Sequence, residues 1–107
     1  MKIWKPLKRI FSIARSKKDN GDDLIGQAAR SVSGRDKGTL YVITGHENGI
    51  YVTVCDGERR KTSGPKRKNV RHLMMTGQRV PDEYVVKGAL TASDEQISSF
   101  LSELDRI

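Results

Sequence analysis

Hydrophobic and polar positions follow two different rhythms along the chain. Ile3, Trp4, Leu7, Ile10, Phe11 and Ala14 recur at a helical spacing with basic residues between them. This spacing predicts a short basic amphipathic helix over residues 1–18. Pro6 fits the first turn of such a helix but not its middle. Asp19, Asn20, Gly21, Asp22 and Asp23 are turn formers and predict a linker. From Leu24 the rhythm becomes that of β-structure. Residues 27–32 form a modest strand, and residues 33–38 a turn carrying two glycines. Residues 39–44, Thr-Leu-Tyr-Val-Ile-Thr, are rich in β-branched and aromatic side chains and predict a strand. Residues 45–49 close a hairpin, with Asn48-Gly49 as the turn signal, and residues 50–55 return. Asp56-Gly57 turns the chain into a fourth strand at 58–62. A basic loop at 66–69 then leads to a last strand at 70–75.

Five short strands inside about fifty residues leave an open sheet with two exposed edges. Curling into a small barrel removes or shortens those edges. Beyond the strands the pattern changes again. Pro81-Asp82-Glu83 opens a mixed segment with one helical turn, for which Gly88 is a stop. Ser93-Asp94-Glu95-Gln96 is a capping box, followed by Ile97, Phe100, Leu101 and Leu104 on one helical face. That face is expected to pack on the barrel. The expected organisation is a basic arm and acidic linker over 1–23, a barrel over 24–76 and an acidic helical tail over 77–107.

Charge sharpens this picture. The chain carries a formal net charge of +7. Residues 1–18 hold seven Lys or Arg and no acid, residues 30–79 eleven basic and four acidic side chains, and residues 80–107 two basic and six acidic. Two basic blocks facing an acidic tail are the electrostatic footprint of a polyanion-binding surface. For residues 1–18 three readings stay open: an arm that folds onto RNA, a segment lying on a membrane surface, and a flexible tail. No apolar run is long enough for a membrane span or a secretory signal, so a cytoplasmic location is expected. A single cysteine, Cys55, sits in an apolar run and reads as a small core side chain. Neither a metal-ligand cluster nor a phosphate loop or catalytic triad pattern can be read from the sequence. The expectation is a non-enzymatic chain with no cofactor, no metal and no small-molecule substrate.

The residues around the first turn carry a family resemblance. Ala29-Arg30-Ser31-Val32-Ser33-Gly34-Arg35-Asp36-Lys37-Gly38, followed by Leu40-Tyr41-Val42-Ile43, resembles a KOW motif. Gly38 stands at the position of the motif's hallmark glycine, where positive φ and a close approach of RNA to the backbone are expected. Asp56-Gly57-Glu58-Arg59-Arg60-Lys61 and Pro65-Lys66-Arg67-Lys68-Asn69-Val70-Arg71-His72-Leu73 extend the resemblance. Over residues 26–76 the chain is similar to KOW-containing large-subunit ribosomal proteins of archaea and eukaryotes and to their short bacterial relatives. The resemblance implies an SH3-like barrel. The expected fold is mainly β, a small five-stranded SH3-like (KOW) barrel, to which the patterning outside the match adds a C-terminal helix and a basic, helical N-terminal arm. The resemblance also implies RNA binding, and the leading expectation is ribosomal RNA bound by a ribosomal or ribosome-associated protein, with ribosomal proteins as further partners. The few exposed aromatics expected favour structured RNA read through its backbone and shape.

The expected RNA-binding residues are Arg30, Arg35, Lys37, Gly38, Arg59, Arg60, Lys61, Lys66, Arg67, Lys68, Asn69, Arg71 and His72. Arginine grips phosphate oxygens in pairs, and lysine supplies a point charge. Asn69 and His72 could add hydrogen bonds to sugar or base edges, and Asn69 could equally cap its own loop. Asp36 is expected to order its loop. A different class of function is a protein-interaction module of the transcription machinery. On the RNA reading, changing Lys66, Arg67 and Lys68 together to Glu should abolish binding and leave the fold intact.

Overall fold

The computed structural model describes residues 22–106, and the helix expected over 1–18 lies outside them. After a single 3-10 turn at Asp22–Leu24, five antiparallel strands follow: β1 (Gln27–Ser31), β2 (Leu40–Glu47), β3 (Tyr51–Cys55), β4 (Lys66–Asn69) and β5 (Leu73–Arg79). A two-stranded hairpin of β6 (Val85–Val86) and β7 (Ala89–Leu90) precedes the helix α1 (Asp94–Asp105). No helix among the described residues is long and apolar enough to cross a membrane.

The strand order is β4-β3-β2-β1-β5, so consecutive strands β4 and β5 occupy opposite edges. In a flat sheet those edges would stand about 19 Å apart, four strand spacings. Only Val70–His72 joins them, in a 3-10 turn that covers roughly 6–8 Å. The sheet must therefore curl. Register shows the direction: Asn69 pairs with Tyr51 at one end of β3, whereas Leu73 pairs with Ser31 at the far end of β1. No ladder joins β4 to β5 among the described residues.

Two apolar clusters sit on the two faces of this sheet. Ala29, Tyr41, Ile43, Val52, Val54, Leu73 and Met75 fill the concave side together with Leu24. Ala28, Leu40, Val42 and Cys55 face the other way, against Val80, Ala92, Ile97 and Leu101. Burial on both faces explains why Leu40-Tyr41-Val42-Ile43 is continuously apolar rather than alternating. The helix docks on the outer face with Ile97 and Leu101 buried and Phe100 and Leu104 packed at their margin, as the helical spacing predicts.

Four local expectations change. Residues 58–62 form a loop, not a strand, because the Asp56 side chain accepts from the backbone N–H groups of Glu58 and Arg60 and folds them into a turn. Residues 66–69, expected as a loop, are strand β4. Residues 70–72 form the 3-10 corner because the Asn69 side chain accepts from the Arg71 N–H at 2.8 Å. The segment after Pro81 makes one 3-10 turn at Asp82–Tyr84 and then a hairpin. Lys87 and Gly88 turn that hairpin with φ of 50° and 77°, so Gly88 is a turn residue rather than a helix stop. Asn48 and Gly49 make a hairpin turn of the same kind, with φ of 55° and 72°, and β2 runs on to Glu47 to meet it.

Candidate nucleic-acid interface

Register on β4 decides which of its cations face outward. Lys66 pairs with Val54 and Lys68 with Val52, so both lysines share the concave face with core valines, while Arg67 points away. A lysine in that position needs an anion, and Asp36 supplies one. From the β1–β2 loop its carboxylate accepts from Lys68 Nζ at 3.0 Å, Lys66 Nζ at 3.1 Å, Tyr41 Oη at 2.7 Å and Ser31 Oγ at 2.9 Å. Lys68 also donates to Ser31 Oγ at 2.9 Å, and its side chain is only 7% exposed. This network bridges β4 to the end of β1 across the concave side, where no backbone ladder does.

Electrostatics follow from that geometry. Burial is the largest single influence on Asp36 and pushes its pKa up, but the hydrogen bonds from Tyr41, Lys68, Lys66 and Ser31 together overcome it. The carboxyl is held well below the usual carboxylate range. Tyr41 is driven above its ordinary value by burial, by its hydrogen bond to Asp36 and by the charges of Asp36 and Asp56, with Arg60 acting against them. Tyr41 thus feels Asp36 of the first loop and Asp56 and Arg60 of the second.

The expected RNA-binding residues separate into two groups. Lys68 is buried, and Lys66 is committed to Asp36. Arg30 donates to the Gly38 carbonyl at 2.7 Å and to Asp105 at 3.2 Å, tying the loop to the helix end. Arg67 forks onto the Glu47 carboxylate and lies 3.8 Å over the Tyr51 ring. Asn69 caps the corner. Gly38 has a φ of +95° and donates to the Ser31 carbonyl at 2.7 Å, and nothing lies within 4 Å of where a Cβ would stand. Backbone conformation is therefore what requires glycine here, and the space beside it is open.

The remaining cations face solvent. Arg35, Lys37, Arg59, Arg60, Lys61, Arg71 and His72 are exposed, and their side chains make no hydrogen bond or ion pair among the described residues. They are brought together around the pinned loop. The Val32 N–H donates to the His72 carbonyl at 3.0 Å, which sets Arg71 and His72 beside the start of that loop. Asp36 and its partner Lys66 set the loop beside the end of the β3–β4 connection that carries Arg59, Arg60 and Lys61. Residues 22–106 hold thirteen basic and twelve acidic side chains, and six of the acids follow residue 80.

Sequence reasoning did not find Ser31 and Tyr41 as members of the network, because their shared partner is a loop aspartate with no periodic signature. It also missed the clasp between the β3–β4 loop and the helix, where Asp94 accepts from the Thr62 N–H at 2.7 Å and Ser98 donates to Glu58 at 2.8 Å. Cys55 is buried, and burial with the charges of Asp94 and Asp56 pushes its thiol up to about 11, which leaves it unreactive. The chain matches no protein-family model, and no curated protein is similar to it.

Proposed function

We propose that this chain is a non-enzymatic RNA-binding protein that grips structured RNA, ribosomal RNA first, by its phosphate backbone, as a ribosomal or ribosome-associated protein. We read the curled five-stranded sheet, with its 3-10 corner before the last strand, as an SH3-like barrel of the KOW type. The resemblance of residues 26–76 to KOW-containing ribosomal proteins supports that reading. The observation that carries the function is the rim of solvent-facing cations from three separate stretches around the loop that Asp36 pins. The aromatic residues support shape and backbone recognition over base stacking. Tyr41 is buried, Tyr51 is half-buried beneath Arg67, and Tyr84 and Phe100 are half-buried, so no open stacking platform is presented among the described residues.

The test is titration of folded ribosomal RNA fragments at several salt concentrations, with an unstructured strand as comparison. Affinity should fall steeply with salt, because neutralised phosphates release counterions. Replacing Arg59, Arg60 and Lys61 together by Gln should weaken binding and lower the salt slope by roughly one for each phosphate that is no longer neutralised. Replacing Arg35, Lys37 and Arg71 should do the same. Charge reversal at Lys66, Arg67 and Lys68 is a poor probe, because it also breaks the buried Lys68–Asp36 pair and so destabilises the fold for reasons unrelated to RNA. Binding that ignores both salt and the exposed replacements would sink the proposal. A partner retained after ribonuclease treatment would favour docking on a protein instead.

A further inference from the structure

The acidic segment after residue 80 carries a groove of its own. Pro81 and Tyr84 form one wall, and Glu95, Gln96, Ser99, Phe100 and Glu103 on α1 form the other. Glu95, Ser99 and Glu103 follow one another at four-residue intervals and so line up along the helix. Between its walls lies an open cleft of about 460 Å³, room for a few large side chains. Its floor is apolar and aromatic, and its rim is anionic. Asp82 and Glu83 are exposed on the adjoining turn. Asp82, Glu83, Glu95 and Glu103 form no ion pair among the described residues. A cleft of this kind fits a cationic segment with large apolar side chains on one face.

We infer that its occupant is residues 1–18 of this same chain, seated with Trp4 and neighbouring apolar side chains in the cleft and their cations against the glutamates. Charge complementarity is one argument. The segment carries seven Lys or Arg and no acid, while residues 80–107, which supply every wall of the groove, carry six acids and two bases. Its apolar positions Ile3, Trp4, Leu7, Ile10 and Phe11 supply the large side chains. Place is the second argument. Val80 donates to the Gly26 carbonyl at 2.9 Å, and a Cβ on Gly26 would stand 3.0 Å from Val85 and 3.1 Å from Val80. Four residues after Asp22, therefore, the chain already touches the neighbours of Pro81 and Tyr84. The described part of the chain thus begins within four residues of a contact with the segment that carries one wall of the groove.

Trp4 is the sole tryptophan, so its fluorescence reports the contact in the full chain without a label. The comparison is with a synthetic peptide of residues 1–21, in buffer without RNA, which keeps the outcome independent of the proposed function. Trp4 in the full chain should emit to the blue of the peptide and resist acrylamide quenching, and high salt should weaken both effects. Glu95→Lys with Glu103→Lys should return emission and quenching to the peptide values, with the far-ultraviolet circular dichroism of the body retained. Lys5→Glu with Lys8→Glu and Arg9→Glu should do so without touching the body at all, and combining the two sets should restore the shielding. Peptide-like emission in the unmodified chain would overturn the inference. So would shielding that survives both sets of changes, or shielding that fades on dilution and thus reports contact between copies.

Discussion

Asp36 accepts from four side chains drawn from three strands, and the consequences can be worked out from that one carboxylate. Breaking a buried ion pair by removing one partner costs about 3–5 kcal/mol, because the other charge is left without compensation. Asp36→Asn should therefore lower the unfolding free energy by about that amount at neutral pH, as read from urea denaturation. The same pairing fixes a pH dependence. The folded-state pKa lies below the unfolded value of about 3.9, so the stabilisation is fully present above that value and is lost as pH falls through it toward the folded one. Wild-type stability should drop steeply below about pH 4. The Asp36→Asn variant should show a shallower acid limb, and the difference between the two should be flat from pH 5 to 7. An equally steep limb in the variant would mean that another carboxylate governs acid unfolding.

At the scale of elements, the helix and the loop that clasps it offer the cleanest tests. Ser93 and Gln96 form a reciprocal capping box, with the Gln96 N–H donating to Ser93 Oγ at 3.1 Å and the Ser93 N–H to Gln96 Oε1 at 2.9 Å. Ser93→Ala should cost about 1 kcal/mol in thermal or urea unfolding. Gly57 has a φ of +82°, and a Cβ there would collide with the Asp94 carbonyl oxygen and stand 2.9 Å from the Ser98 nitrogen. Gly57→Ala should cost roughly 2–5 kcal/mol, combining backbone strain with overpacking against α1. The capping box, β2, β3 and the Asn48-Gly49 turn were legible in the sequence because each rests on local chemistry. Strand β4 was not. Its Lys-Arg-Lys-Asn carries no apolar alternation, since the inward positions are lysines satisfied by an aspartate about thirty residues away. For the same reason the candidate site was half legible: charge marked the stretches, but only register and Asp36 separate Lys66 and Lys68 from the exposed cations.

For the molecule as a whole, the placement of charge on a near-neutral body matters more than net charge. The described residues balance to within one charge, so recognition depends on where cations stand. The network that spans the concave side has a consequence for the thermodynamics of recognition. A loop anchored by Asp36 to β4 has already surrendered its freedom at folding, so a polyanion arriving at Arg35 and Lys37 finds a preorganised perch and spends little entropy in ordering it. Neutralising Asp36 adds positive charge to that surface, and simple attraction would make Asp36→Asn the tighter binder. Preorganisation gives the opposite sign: calorimetry on the folded variant should find weaker association with a more unfavourable entropy, an acid inside a basic surface serving the anion it would otherwise repel.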